Sequence, residues 1–179
     1  MRPPRGIVVR SAVGALNLDD VVSILGEASI PERALMDGLT VEGDIRAVLL
    51  VENLGAWQDM PAPPGWLLVH LPGWDTPTVL RFLAQVERVP IVHFGDLDPN
   101  GVRIFQALRD RRPDIRWFVP TFWREFVERY GLPGLWPKMD LAFAPALVRE
   151  LARQGRWLEQ ETIVLDPRLG EALELSVGG

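Results

Sequence analysis

The chain lacks cysteine altogether and, over 179 residues, contains a single tyrosine, Tyr130, and a single lysine, Lys138. Without cysteine, neither a disulfide bond nor a zinc site with thiolate ligands can form. No apolar run approaches the roughly 18 residues that a membrane span requires, and no long apolar segment follows residues 1–6. We therefore expect neither a signal peptide nor a membrane span, and a cytoplasmic location. The net charge of −5 argues against indiscriminate coating of nucleic acid.

Apolar residues make up 47% of the chain, enough for the core of one domain with a sheet buried on both faces. Periodicity predicts strands and helices in alternation, which is typical of a parallel sheet with right-handed crossovers. The predicted strands are 47–51, 66–71, 90–94 and 115–119, and the predicted intervening helices are 54–59, 76–86 and 100–110. We therefore predict an α/β fold, with a central, mostly parallel four-stranded sheet flanked by helices.

The segments outside this core are predicted in less detail. Residues 1–46 form a short N-terminal extension with a β-like run at 6–10 and a helix at 18–25, capped by Asn17 or Asp19. The main domain spans 47–165 and includes a helical part at 121–155, and residues 166–179 form a C-terminal tail.

The most informative stretch is an apolar run that stops at two carboxylates one residue apart, Asp96 and Asp98. It indicates a buried strand, a tight acidic turn and a helix, so both acids lie at the carboxyl end of a parallel strand, where α/β sheets place their sites. Two carboxylates this close repel each other unless a cation lies between them or one keeps its proton. Asp98 precedes Pro99 and also fits the N-cap of the following helix.

A second apolar strand ends in the same way, at Glu52. Three acids at two strand ends are the usual protein share of a Mg²⁺ site, because this ion keeps several waters and takes few carboxylates. The alternative is that Glu52 is a solvated strand end. His93, on the strand before the acidic turn, is interpreted as a hydrogen-bonded core histidine and not as a ligand.

Two other motifs compete for the acidic turn. A calcium-binding EF-hand loop needs Glu at its twelfth position, where this chain has Ala107, and a helix before it, so we reject this interpretation. A phosphatase of the haloacid dehalogenase type also begins with D-x-D, but it usually has Thr or Val where this chain has Asn100. It also needs a later lysine, and only Lys138 is available. This phosphatase stays a weaker alternative.

Four segments together resemble the C-terminal Toprim domain of the JetD family, the nuclease subunits of Wadjet anti-plasmid defence systems, which is similar to the Toprim domain of topoisomerase VI A subunits. In order, they are 51–54 (Val-Glu-Asn-Leu), 71–73 (Leu-Pro-Gly), 94–104 (Phe-Gly-Asp-Leu-Asp to Gly-Val-Arg-Ile) and 157–161 (Trp-Leu-Glu-Gln-Glu). The resemblance runs from about residue 47 to 165. It implies a Toprim fold of the Rossmann-like kind and Mg²⁺- or Mn²⁺-dependent cleavage of DNA that an SMC-type complex presents.

The resemblance also implies roles for individual residues. Asp96 and Asp98 hold the metal directly or through water, Glu52 is a third ligand or the general base, and Glu159 or Glu161 binds a second metal. A homodimer is left open. A non-catalytic Toprim scaffold for DNA docking or dimerisation is the alternative from a different class.

Two departures from the resembled family bear on mechanism. Only about 46 residues precede the first Toprim strand, too few for the N-terminal winged-helix module of JetD-like proteins. Topoisomerase VI A subunits cleave with a tyrosine, whereas Tyr130 follows the acidic turn and fits an amphipathic helix. We therefore expect water to be the nucleophile, and not a tyrosine.

Arginines cluster in two places, after the acidic turn and before Glu159. Arg103, near the start of the helix after the turn, is a candidate phosphate contact, helped by the helix dipole. Arg149, Arg153 and Arg156 are spaced i, i+4 and i+7 and are predicted to share one helical face. Their functional interpretation is a stripe that contacts DNA phosphates, and their alternative is a solvated helix face.

Overall fold

The computed structural model describes residues 1–86 and 89–178; Gly179, the last residue of the predicted tail, lies outside the described residues. The strands are, in chain order, β1 (Val8–Ser11), β2 (Gly14–Asn17), β3 (Thr40–Glu42), β4 (Ala47–Val51), β5 (Trp66–His70), β6 (Ile91–Phe94), β7 (Arg116–Trp117), β8 (Leu132–Pro133) and β9 (Arg156–Trp157). The α-helices are α1 (Leu18–Leu25), α2 (Glu32–Met36), α3 (Leu54–Asp59), α4 (Thr76–Leu83), α5 (Pro99–Arg109), α6 (Trp123–Tyr130), α7 (Ala146–Gln154) and α8 (Leu169–Val177), and a 3₁₀ helix spans Gln160–Thr162.

The centre of the molecule is a four-stranded sheet in the order β5-β4-β6-β7, with every neighbouring pair parallel. This confirms the predicted α/β class with helices flanking a parallel sheet, an arrangement consistent with a Rossmann-like Toprim fold. Every residue of β4 is buried. Helices cover both faces of a parallel sheet, which explains why all five residues of this strand are apolar. From β4 the chain goes first to β5 on one side and then to β6 on the other. The strand order therefore reverses at the carboxyl end of β4, where α/β folds place their ligands.

The two faces of the sheet are distinguished by adjacent residues of β6. The His93 ring packs against Phe105 of α5 at a centroid distance of 5.7 Å, whereas the Phe94 ring packs against Trp123 of α6 at 5.3 Å. Since side chains alternate along a strand, Glu52, which follows β4 in register with Gly95, belongs to the His93 face.

The starts of α1 and α3 agree with the sequence prediction, and a side chain caps each of these helices. Asn17 accepts a hydrogen bond from the Asp19 N–H at 2.8 Å, so the cap of α1 is Asn17 and not Asp19. The helix predicted at 54–59 is α3, and Asn53 caps it by accepting from Gly55 at 2.7 Å.

The N-terminal extension holds more structure than predicted. It forms a three-stranded antiparallel sheet, β2-β1-β3, to which the predicted β-like run contributes one strand. The strands β2 and β3 and the helix α2 were not predicted. Arg2 pairs with Leu68 of β5 through two backbone hydrogen bonds of 2.8 and 3.0 Å. The extension is therefore joined to the free edge of the parallel sheet.

The prediction of a helical part over 121–155 was wrong for about half of its length. α6 ends at Tyr130, the strand β8 follows, and the next helix, α7, begins only at Ala146. Prolines 133, 137 and 145 lie in between, and proline lacks the N–H that a helix interior needs.

The helix predicted to Val86 ends at Leu83, and the fourth strand of the parallel sheet, β7, has two residues. In residues 1–86 and 89–178, no helix combines the length and apolar character needed to cross a membrane.

Candidate metal centre

The carboxyl ends of β4 and β6 meet because these strands are direct neighbours. The Glu52 N–H donates to the Phe94 carbonyl at 3.1 Å, so the pairing continues one residue past β4. Glu52 and the turn that carries Asp96 and Asp98 therefore lie at the same edge of the sheet, as the sequence predicts.

The Glu52 side chain is nearly enclosed, with 11% of its surface exposed. Its Oε2 atom is buried and has no hydrogen-bond partner among the described residues. The pKa of Glu52 is raised to about 8, first because burial disfavours the charged form and then because Asp96, Asp98 and Glu161 repel it; the Asp96 N–H acts in the opposite direction. This carboxyl is a candidate for binding a cation, because a bound cation would offset both the burial of its charge and its repulsion by the neighbouring carboxylates.

Asp96 is the second buried acid of the cluster. The pKa of Asp96 is raised to about 7, mainly by burial and further by repulsion from Asp98, Glu161 and Glu159, while a hydrogen bond from the Gln160 N–H lowers it. That N–H donates to Asp96 Oδ1 at 2.8 Å. Asp96 is therefore oriented by a residue 64 positions later in the chain.

A short backbone pairing brings the late acids to the cluster. Leu97 donates to the Leu158 carbonyl at 2.8 Å, and Leu158 donates back to Leu97 at 3.3 Å. Glu159 and Glu161 are both exposed at this place, and the Asn53 side-chain amide donates to Glu161 Oε1. The structure thus brings all five predicted acids to one region, as their mutual effects on pKa also indicate.

Asp98 serves as the N-cap of α5, as its position before Pro99 suggests. Its Oδ1 accepts from the Gly101 N–H at 2.6 Å. Gly101 is required here because a Cβ on it would lie 2.1 Å from the Asp96 carbonyl oxygen. The first turn of α5 thus packs directly on the backbone of the acidic turn and fixes its shape.

The sequence predicted His93 to be buried but did not predict that it lies close to Glu52. His93 Nε2 lies 3.9 Å from Glu52 Oε2, and neither nitrogen of the His93 ring has a hydrogen-bond partner among the described residues. The prediction of a core histidine is confirmed, but the predicted hydrogen bond is absent from the described residues. Complete burial lowers the pKa of His93 to about 3, so the ring is neutral and the contact is not an ion pair.

Gly95 separates His93 from the acidic turn. A Cβ at this position would lie 2.3 Å from His93 Nε2 and 2.7 Å from Glu52 Oε2, so only glycine leaves the two groups face to face. The sequence signals that could have identified the supporting residues are modest: Asn53 directly before a helix, and glycines on both sides of the D-x-D motif.

The donor set fits a hard divalent cation, but not through many direct protein ligands. In residues 1–86 and 89–178, no three His, Cys, Asp or Glu side chains are grouped so that they could hold an ion together. The unpartnered Glu52 oxygen and the raised carboxyl pKa values nevertheless match Mg²⁺ or Mn²⁺ bound by one or two carboxylates and by water. Glu52, Asp96 and Asp98 are the candidates for these one or two direct ligands and for contacts through water, with Glu159 and Glu161 at the periphery.

The predicted arginine stripe is only partly present. Arg149 and Arg153 lie on α7 and are exposed, but the helix ends at Gln154 and Gly155 adopts φ +63°. Arg156 therefore lies in β9 and not on the helical face, which corrects the prediction, and it donates to the Gly131 carbonyl at 2.9 Å. Gly155 ends the helix because a left-handed C-cap favours glycine.

Arg103, Arg149 and Arg153 are all exposed to solvent. Arg103 is exposed on α5 and makes no hydrogen bond or ion pair among the described residues. Arg149 and Arg153 line an open groove of about 600 Å³ together with Lys138 and Trp136. Contact of these residues with DNA phosphates stays a prediction.

Tyr130 is at the last position of α6, 42% exposed, with its ring 5.8 Å from Phe126 and with the Arg129 guanidinium over its face. These contacts agree with the expected amphipathic helix.

A family model described as "Wadjet protein JetD, C-terminal" matches residues 6–171 of the chain. The match covers well over half of the sequence, so the chain belongs to this family. It also extends the predicted resemblance, which began at about residue 47, into the N-terminal extension. No curated protein matches the chain.

Proposed function

We propose that this chain is a divalent-metal-dependent DNA endonuclease of the Toprim type, which hydrolyses phosphodiesters of plasmid or other foreign DNA within a Wadjet system. The observation that carries the proposal is the meeting of Glu52, Asp96 and Asp98 at the point where the strand order of the parallel sheet reverses. Membership of the JetD C-terminal family supports the anti-plasmid role.

The structure favours particular roles for the acids. One oxygen of Asp98 is used by the cap of α5, and one oxygen of Asp96 is used by Gln160, so each has its second oxygen left for a metal or a metal-bound water. Glu52 has a buried oxygen without a partner and a pKa near 8, which suits either a ligand or a general base that takes a proton from water near neutral pH. Glu159 and Glu161, at the exposed rim, are candidates for a second ion.

When bound, Mg²⁺ or Mn²⁺ would neutralise charge on the phosphate and lower the pKa of a coordinated water. The chain itself contributes orientation: α5 and the Leu97–Leu158 pairing hold the acidic turn rigid, and burial excludes bulk water from Glu52. Arg103 is exposed on α5, the helix that Asp98 caps, and is available to a DNA phosphate.

The proposed partners are DNA and an SMC-type complex that presents it, and a homodimer stays open. The alternative is a non-catalytic domain kept for docking. The observation that favours this alternative is that, within the described ranges, no three acids or histidines are grouped to hold an ion as folded. The phosphatase alternative has no observation in its favour beyond the D-x-D motif.

The experiment is a plasmid-nicking assay with purified protein and Mn²⁺ or Mg²⁺. Glu52→Gln and Asp98→Asn should each lower the cleavage rate by at least ~100-fold, because each removes charge that stabilises the transition state. Asp98→Asn is preferred to alanine, since asparagine still accepts from the Gly101 N–H and keeps α5 capped.

The matched control is Asp44→Asn, the same carboxyl-to-amide change at an exposed residue. Asp44 precedes β4 and so lies at the end of this strand opposite to Glu52. The variant should cleave like wild type. If wild type shows no cleavage under any divalent metal, with or without an SMC-type complex, the docking alternative replaces the nuclease. Activity on p-nitrophenyl phosphate without activity on DNA would favour the phosphatase.

A further inference from the structure

The buried face beside the acidic site contains a histidine that nothing in the proposed mechanism uses. His93 is completely buried on β6, and its ring is held between Phe105 at 5.7 Å and Trp117 at 5.9 Å. Two aromatic neighbours at fixed angles leave the imidazole little freedom to rotate. Its Nε2 atom therefore has a defined direction, and that direction is toward Glu52.

The Nε2 atom and the Glu52 Oε2 atom are the two ends of an incomplete contact. They lie 3.9 Å apart, both are buried, and neither has a hydrogen-bond partner among the described residues. A buried polar atom without a hydrogen-bond partner destabilises the folded state, because its lost contact with water is not replaced. One hydrogen bond between two such atoms removes this penalty for both. The gap exceeds a hydrogen bond by about 1 Å, which is typical of catalytic contacts that tighten only in the loaded state.

Gly95 makes this contact possible. Any larger residue would place a Cβ atom within 2.7 Å of both groups, too close to each of them. The glycine before the D-x-D motif therefore has a specific purpose: it keeps the path from His93 to Glu52 open on the same face of the sheet.

We propose that His93 is a positioning residue of the acidic site: it donates its Nε2–H to Oε2 of Glu52 and so directs the other oxygen of that carboxylate toward Asp96 and Asp98. The proposal rests on the nuclease function proposed above. A neutral imidazole has one N–H and one lone pair. With Glu52 ionised, the tautomer with hydrogen on Nε2 is the favoured one, because it places a donor against the carboxylate oxygen.

The contact itself can be tested without metal or cleavage. The chain has only two histidines, His70 and His93, so the ring N–H resonances of ¹⁵N-labelled protein are assigned with His93→Gln. Measured at pH 9, the His93 Nε2–H resonance should lie downfield in wild type and shift upfield in Glu52→Gln. Glu159→Gln, the same change at the exposed rim, should leave it in place. A resonance that is identical in wild type and Glu52→Gln overturns the proposal.

The functional consequence is tested in the nicking assay. His93→Phe keeps an aromatic ring between Phe105 and Trp117 but removes the donor, and it should lower the cleavage rate and Mn²⁺ affinity by about 10- to 100-fold. His93→Gln, whose amide can place a donor at a similar position, should restore part of this loss. Asp44→Asn, the exposed control used above, should keep wild-type cleavage and Mn²⁺ affinity. A His93→Phe protein with wild-type cleavage overturns the proposal. A wild type without cleavage contradicts the nuclease function, and the resonance shift then still decides whether His93 positions Glu52.

Discussion

Asp96→Asn should stabilise the metal-free protein, and the gain should grow with pH. The pKa of Asp96 rises from 3.8 to about 7 on folding, so the folded state binds more protons than the unfolded chain between these values. Stability therefore falls as pH rises through this window, and the full penalty is present above about pH 7. Asparagine carries no charge and still accepts from the Gln160 N–H through its Oδ1, so it removes the penalty without removing the hydrogen bond.

The size of the effect follows from the same pKa values. One pKa unit corresponds to about 1.4 kcal/mol, so the full penalty is about 4 kcal/mol, of which about 2 kcal/mol acts already at pH 5. The remaining gain of about 2–3 kcal/mol should develop between pH 5 and pH 8. For a domain of this size it corresponds to about 4–12 °C in melting temperature.

The assay is thermal unfolding of wild type and Asp96→Asn at pH 5 and pH 8, with and without millimolar Mg²⁺ or Mn²⁺. The metal should raise the melting temperature of wild type at pH 8, since it binds only the folded state, and should have little effect on the variant. Asp44→Asn, at an exposed position, should show no pH-dependent gain. A gain in Asp96→Asn that is equal at both pH values would refute the proposed burial and repulsion. An undiminished metal response would place the ion elsewhere.

Three further predictions concern other parts of the molecule. Tyr130→Phe should cleave plasmid DNA like wild type, because its ring packs on Phe126; loss of cleavage, or DNA ends attached covalently to the protein, would indicate a tyrosine nucleophile. Arg149→Glu combined with Arg153→Glu should lower DNA affinity in a filter-binding titration and flatten its dependence on salt, while Mn²⁺ affinity stays unchanged; equal DNA affinity would leave the groove on α7 without a role. Gly101→Ala should destabilise the protein by about 1–3 kcal/mol in chemical denaturation, because its Cβ would lie 2.1 Å from the Asp96 carbonyl oxygen. The control Gly170→Ala, inside α8 with its nearest neighbour 3.9 Å away, should be neutral or stabilising.

The sequence determined the elements whose signals are local. The apolar runs at β4, β5 and β6 predicted buried parallel strands, and Asn17 and Asp98 marked helix starts that the structure confirms. Such signals involve residues only a few positions apart, so they predict strands and helix starts without knowledge of the tertiary fold. Alternation of strands and helices then limited the fold class to a parallel α/β sheet.

Only the tertiary structure decided the strand order, the exposed strand β2 and the environment of the acids. β2 is exposed along its whole length, so it has no alternation of apolar and polar residues to reveal it. The pairing of Leu97 with Leu158 joins residues about 60 positions apart, and it brings Gln160 to Asp96. The distance of His93 from Glu52 depends on the register of β4 with β6 and on the missing Cβ of Gly95. Contacts of this kind come from packing between distant segments, and local periodicity carries no information about them.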